Sequence, residues 1–258
     1  MIGVGLFGLA IGFNAATLDP FIFSEKVRLL APPSMKNTLL GFITILALLT
    51  ALMVQPLVGQ WSDHTRSRWG KRAPYLAAGV VGLSFALALI VLADSLWLLI
   101  LGTVLMSMFA NTTQAAWQAL IPDHIPVFQH GTAAGAKTVL ELTGVVAGIA
   151  VVGYFLSQGN VWASPLVTSL LFFVILAVTL AVIHGRPVLT ASSSPQAGQN
   201  ALARMISGVR KSPPAFLWWM LNRILFWSAA ISVRTFILNY LEDVFGLLPA
   251  EAEALSSR

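Results

Sequence analysis

Seven stretches of about twenty mostly apolar residues leave this chain few ways to fold: 2–23, 37–60, 74–93, 96–121, 132–156, 164–184 and 215–241. Each is long enough, as a helix, to cross the hydrocarbon layer of a bilayer. In that layer no water satisfies a backbone N–H or C=O, so an open strand is excluded and an α-helix is favoured. Only 10% of the residues are charged, whereas a soluble domain carries about 25%. With 57% hydrophobic residues and a mean hydropathy of +0.82, lipid is the expected main solvent. The fold class is therefore an all-α membrane protein. Its turns are expected at Ala31-Pro32-Pro33, Asp94-Ser95, Ile121-Pro122-Asp123, Ser157-Gln158-Gly159-Asn160 and Pro213-Pro214.

The chain is basic, with a formal charge of +5. A nucleic-acid partner is not implied, because the cations fall in loops between apolar stretches, as in cytoplasmic loops of membrane proteins. With the N-terminus inside, the inner loops hold Arg66, Arg68, Lys71, Arg72, Arg186, Arg204, Arg210 and Lys211. The outer segments then hold Lys26, Arg28, Lys36 and Arg258, together with the acidic Glu242, Asp243, Glu251 and Glu253. The balance predicts a cytoplasmic N-terminus in a cell (inner or plasma) membrane, with residues 242–258 external. The N-terminus has no basic leader segment, so it reads as the first span and not as a cleaved signal. Residues 185–214 differ from every other connection. They contain the polar stretch Ala191 to Asn200, which has linker composition, and around Ala201 to Lys211 a short basic amphipathic helix is predicted.

The segment Gly59-Gln-Trp-Ser62-Asp63-His-Thr65-Arg66-Ser67-Arg68-Trp69-Gly70-Lys71-Arg72 joins the second and third spans. It resembles the loop at this position in major facilitator superfamily transporters, roughly Gly-x-x-x-Asp-(Arg)-x-Gly-Arg/Lys-Arg/Lys. Thr-Arg-Ser-Arg-Trp-Gly-Lys is closer to the glycoside–pentoside–hexuronide symporters, and the flanking Trp-Ser-Asp and Arg-Ala-Pro-Tyr resemble sucrose/proton symporter relatives. The resemblance implies a facilitator-type helix bundle, incomplete at about seven of twelve spans: residues 1–184 as the N-terminal six-helix half, 185–214 as the cytoplasmic linker and 215–241 as the first helix of the C-terminal half. It further implies that the rest of that half is missing and that the sequence is a fragment of a longer reading frame.

By the same resemblance the loop is a gate. Asp63 is implied to face a helix N-terminus in the opposite half and to pair with Arg66 or Arg72, with Arg68, Gly70 and Lys71 completing the basic cluster. Gly59 and Ser62 would permit close approach. The stretch Gln118 to Pro126, with Gly131 and Gly135, resembles the connection between spans four and five, where Pro-Asp ends one helix; packing and gating roles are implied. Sodium-coupled melibiose-type relatives carry two aspartates in span two, where this chain has Ala51 and Gln55. A sodium site is not supported.

Charged groups inside a span are costly and are functional candidates by default. Lys137 and Glu141 lie four apart in span five, a spacing that lets them share a helix face. Glu141 is the one deep carboxylate, about 13 Å from the inner end at about 1.5 Å per residue. The pair reads either as a proton- or cation-coupling group with a supporting lysine, or as a structural ion pair with Lys137 snorkelling. Arg223 and Arg234 are eleven residues apart, close to three turns, and share a face of span seven. Either they meet substrate or Glu141, or they contact the missing half. In span four Asn111, Gln114 and Gln118 form a polar stripe, and Asn14 adds one polar residue in span one. Amides offer donors and acceptors together, which suits a hydroxylated substrate, although they also hydrogen-bond between helices.

These readings predict a secondary transporter for a sugar or other small polar solute, coupled to protons and working by alternating access. The alternative is a transporter-like assembly or delivery factor without solute transport. The sequence holds no cysteine and no metal-ligand spacing, phosphate loop or nucleophile–base set, so no cofactor, no metal and no enzyme activity are expected.

Overall fold

The computed structural model describes residues 2–17, 22–65, 67–183 and 212–245. The linker 184–211, including the expected amphipathic helix, the terminal segment 246–258 and Arg66 lie outside the described residues. Eight α-helices and three short 3₁₀ turns are described, with no strand among the described residues: α1 (Ile2–Thr17), α2 (Ser24–Leu30), α3 (Lys36–His64), α4 (Ala73–Val91), α5 (Leu96–His124), α6 (His130–Ser157), α7 (Ser164–Ile183) and α8 (Pro214–Phe245). Six of them carry stretches long and apolar enough to cross a membrane, and α1 is a shorter apolar helix. The chain is a multi-pass integral membrane protein.

Three boundaries differ from the sequence expectation. Helix α3 runs on to His64 through an internal Pro56, so half of the basic segment is helical and the connection is only Thr65 to Arg72. The Thr65 hydroxyl bonds the Trp61 carbonyl at 2.9 Å and the Tyr75 hydroxyl at 2.8 Å, tying the helix end to α4. Helix α5 likewise passes through Pro122 and ends at His124, because a proline forfeits one backbone bond without a break when it falls in the last turn. The first span is described as α1 over Ile2–Thr17, and a further short helix, α2, begins at Ser24, past the expected end of that span. The other turn signals are met: Ser95 caps α5 by accepting from the Leu98 N–H at 3.3 Å, and Gly159 takes a left-handed φ of 69° after α6.

The bundle is organised by five helix pairs: α1 on α6 and α7, α5 on α3 and α4, and α4 on α7. Exchanging α1, α3 and α4 with α5, α6 and α7 maps this set of pairs onto itself. Closest of all is the α1–α6 contact, where Gly8 and Gly12 meet the α6 backbone at Lys137, Glu141 and Val145, and Gly144 and Gly148 meet the α1 backbone at Leu9 and Phe13. A Cβ on Gly12 would lie 1.9 Å from the Glu141 carbonyl oxygen, and one on Gly144 2.0 Å from that of Leu9. Small residues spaced by four let two backbones touch where lipid supplies no hydrophobic drive for association. At the bundle centre Phe7, Trp117 and Phe172 are buried, with Phe7 6.5 Å from Trp117 and 6.3 Å from Phe172 between ring centroids. Outward faces, such as Phe42, Ile45, Leu49 and Leu52 of α3, are exposed and apolar, as lipid or another helix requires. Helix α8 is exposed over most of its length and meets the bundle through α3 and α2.

At the end where α1 stops and α3 begins, called here the far end, α2 lies across the bundle. Lys26 is 9% exposed; its ammonium donates to the carbonyls of Val91 (2.7 Å) and Ala93 (3.1 Å) and stands 4.8 Å from the Trp162 ring centroid. Those carbonyls belong to the C-terminus of α4, where the helix dipole favours a cation. On the same helix Arg28 pairs with Glu25 at 2.6 Å.

The α1–α6 contact can be tested by adding bulk. Gly144→Val is expected to destabilise the purified protein by about 1–3 kcal/mol or more, read as a lower midpoint of thermal unfolding in detergent. Gly135→Ala, where a Cβ meets nothing within 4 Å, should leave the midpoint in place.

Candidate functional site

Helices α1, α3 and α5 line a cavity of about 310 Å³, to which Phe172 of α7, Phe23 before α2 and Ile231 of α8 also contribute. Its apolar lining includes Ile11, Leu40, Ile43 and Met106; its polar lining is Asn14, Thr44, Thr103, Ser107, Asn111 and Gln114. None of the described residues lining it is charged. Leu40 lies four residues into α3 and Gln114 eighteen into α5, so the cavity reaches from near the far end to about 27 Å along α5, just past the middle of the bundle.

The polar wall is a connected chain. Gln55 Nε2 donates to Asn111 Oδ1 (2.7 Å); Asn111 Nδ2 donates to the Ser107 carbonyl (2.7 Å) and to Ser107 Oγ (3.3 Å); Ser107 Oγ donates to the Ala47 carbonyl (2.6 Å). Gln55 and Ala47 are on α3 and the other two on α5, so the chain stitches these helices together. Two polar groups at the cavity stay unused: Gln114 makes no hydrogen bond among the described residues, and Asn14 Oδ1 is buried without a partner there.

Of the expected cavity residues, Asn14, Asn111 and Gln114 do line it. Gln118 does not: it is exposed one turn further on, about 33 Å along α5 and past the cavity floor. Lys137 and Glu141 are both half-buried on α6, which contributes nothing to the lining, because Gly8 and Gly12 hold α6 on the neighbouring face of α1. Among the described residues they form no ion pair within 4.0 Å; the Lys137 ammonium instead lies 4.7 Å from the Trp117 ring centroid. An indole face held at the bundle centre supplies the attraction that the carboxylate was expected to give. Arg223 is exposed, 6.0 Å from the Trp219 and 5.8 Å from the Trp227 ring centroid, away from the cavity and from Glu141. Arg234 lies in α8, and its side chain is outside the described residues.

At the other end of the bundle the charged residues gather. Arg72, buried at the start of α4, donates through Nε to Asp123 Oδ2 at 3.0 Å, through Nη1 to Ser62 Oγ and through Nη2 to Asp63 Oδ1 at 2.5 Å. Lys71 Nζ adds a second contact to Asp123 Oδ1 at 3.0 Å. Two carboxylates thus face two cations. Among the described residues, which do not include Arg66, the partner of Asp63 is Arg72, while Arg68 and Gly70 are exposed. Gly59 makes no close approach, since a Cβ there meets nothing within 4 Å. Asp123 was read only as the end of a helix; its burial, with a side chain 7% exposed, is what makes it the hub. A Pro-Asp at the close of an apolar stretch, facing a basic loop, was the available signal.

The helix dipoles work against this cluster. Both aspartates sit at helix C-termini and Arg72 at an N-terminus, each beside an end of its own sign. Mutual pairing therefore holds it, and removing one member leaves buried charge uncompensated.

The described residues thus form a polytopic bundle of apolar helices around a polar cavity without a charged lining residue, with an ionic clasp at one end. The chain belongs to the Major Facilitator Superfamily, which it matches over residues 1–256. It is similar to sucrose transport protein SUT4 of Oryza sativa subsp. indica, 33% identical over 91 residues that cover 35% of this chain and 14% of the relative. It is similar also to sucrose transport protein SUC3 of Arabidopsis thaliana (28% over 130 residues; 42% of this chain, 22% of the relative) and to membrane-associated transporter protein of Mus musculus (29% over 97 residues; 37% and 17%). The chain spans less than a quarter of the length of these curated relatives.

Arg72→Met should lower the thermal unfolding midpoint strongly, on the order of 3–5 kcal/mol for a broken buried pair. Asp63→Asn should cost much less, because that side chain is 36% exposed and water screens it.

Proposed function

We propose that this chain carries one wall of the solute path in a secondary transporter of the cell membrane, which moves a sugar or another small uncharged polar solute by alternating access. The observation that carries the reading is the cavity: amide and hydroxyl groups at middle depth, with no charge among its described lining residues. An ionic solute would need a counter-charge there; a polyhydroxylated one needs donors and acceptors side by side, as Asn14, Asn111 and Gln114 offer. The similarity of parts of the chain to sucrose transport proteins supports the same class.

On this reading residues 1–184 are one six-helix half made of two inverted three-helix repeats, in keeping with the exchange symmetry of the helix pairs. Residues 215–241 open the other half, and 185–214 link the two. The clasp end faces the cytoplasm. Lys26 and Arg28 on the opposite side weigh less against that orientation, since Lys26 is buried on α4 carbonyls and Arg28 is paired with Glu25. The clasp of Asp63, Arg72, Lys71 and Asp123 steadies the inner end, and its opposed dipoles let it exchange partners with the other half. Glu141 couples proton movement from behind α1: its peptide carbonyl abuts Gly12, so a change at its carboxyl is passed to the cavity wall through the α1–α6 contact.

Uptake of radiolabelled sucrose into proteoliposomes carrying the whole transporter of which this chain forms one wall, driven by an inward proton gradient, tests this reading. Gln114→Leu should raise KM about tenfold, the scale of one lost hydrogen bond. Glu141→Gln should abolish gradient-driven accumulation while leaving exchange at equal concentrations. Gradient-driven accumulation in Glu141→Gln would remove the coupling role, and no uptake by the parent of sucrose or of any neutral polyol would remove the solute class.

Orientation has its own check. A cysteine in place of Ser67 should react with an impermeant maleimide only after the cytoplasmic face is exposed. Reaction in intact sealed cells would reverse the topology.

A further inference from the structure

We infer that α2 is a strap that closes the far end of the cavity, with Phe23 as its inner wall and Lys26 as the pin that holds it. The cavity begins within about 6 Å of the far end, at Leu40, and α2 lies across that end against α3, α5 and α8. Phe23, 6% exposed, is the residue that the strap contributes to the lining. Three residues along, almost one helical turn, Lys26 is anchored on a different part of the bundle. Its ammonium bonds the carbonyls of Val91 and Ala93 at the end of α4 and faces the Trp162 indole just before α7.

The anchor is chemically suited to a pin that can be withdrawn. Among the described residues the partners of Lys26 are two carbonyls and an indole, with no carboxylate. The ammonium is held by partial charges: the α4 C-terminal dipole, hydrogen bonds and a ring face. A buried ion pair would cost several kcal/mol to part, whereas an ammonium released from carbonyls at the membrane surface regains water at once. The outer face of the same helix, with Arg28 paired to Glu25 and Leu29 61% exposed, adds little hold of its own. Most of the strap's attachment is therefore concentrated in Ile22, Phe23, Lys26 and Val27, all buried. The contact of α2 with α8 places the strap where a movement of α8 would reach it. Opening would expose Thr44 and Ala47, both half-buried on the far-end wall of α3, more fully.

The sequence has no cysteine, so single-cysteine labelling needs no prior substitutions. A cysteine replacing the cavity-lining Thr44 is to be labelled with a membrane-impermeant maleimide in the purified protein, and its rate compared with and without Lys26→Met. The strap predicts labelling about tenfold faster in Lys26→Met, the scale of one lost hydrogen-bonded anchor, and a near-parental rate in Lys26→Arg, which retains the donors. A second cysteine in place of Ala86, fully buried in the α4 core, should stay unreactive throughout. Phe23→Ala removes the wall without touching the ammonium and should also speed labelling at position 44, so the test survives if Lys26→Met fails to fold. Unchanged rates at position 44 in both variants overturn the strap, and so does equal acceleration at positions 44 and 86, which marks general loosening. No solute enters this measurement, so its failure is separate from failure of the transport reading.

Discussion

The contact on which the rest of the molecule depends is the backbone-to-backbone approach of α1 and α6 at Gly8, Gly12, Gly144 and Gly148. In lipid there is no hydrophobic gain from joining two apolar helices, so close packing has to supply the attraction, and only glycine brings the axes this near. The consequence is rotational. Once the glycine face of α1 is committed to α6, the neighbouring face with Ile11, Asn14 and Ala15 is left to form the cavity wall. The same commitment keeps α6, and with it Lys137 and Glu141, out of the lining. The placement of the one deep carboxylate therefore follows from where four residues lack a side chain.

The two ends of the bundle handle charge by different means. At one end two aspartates and two cations are assembled against the preference of every helix terminus they occupy, and the assembly survives on mutual pairing alone. At the other end a single lysine sits where a terminus wants it. The first arrangement is stiff while complete and fails as a unit; the second is local and separable. In both, a group that looks like a loop charge in the sequence is largely withdrawn from water.

Much of the fold was legible because a bilayer narrows the choices. The apolar stretches announced the helices, and Pro74, Ser95, Gly159 and Pro214 fell at their ends. What failed at a boundary was Pro122, which was compatible with helix continuation, since the cost of one missing N–H bond is met in a frayed last turn; Pro56 already lay inside an expected span, where neighbouring helices absorb the same cost. The site was legible in part. Spacing put Asn111 and Gln114 on one face and the structure turns that face to the cavity, but spacing says nothing of where a cavity stops, and Gln118 lies past its floor. Pairing partners were harder still. Lys137 had a carboxylate one turn away and lies over an indole from another helix; Asp63 is paired with an Arg72 that is itself held by Asp123, a residue of a different helix. Such choices are made by tertiary proximity, to which a linear pattern is blind.

The polar stitch between α3 and α5 has a mechanical meaning. Every proton in it points the same way, from Gln55 to Asn111 to Ser107 to the peptide of Ala47, so each bond polarises the next. A slip of α3 along α5 by a single residue, about 1.5 Å, would break the two interhelical links together and leave amides facing amides in the wrong sense. The pair is in effect a keyed shaft. It can tilt or carry its wall of the cavity as one piece, but it cannot creep, and any reshaping of the enclosed space has to come from the helices that are not keyed to it.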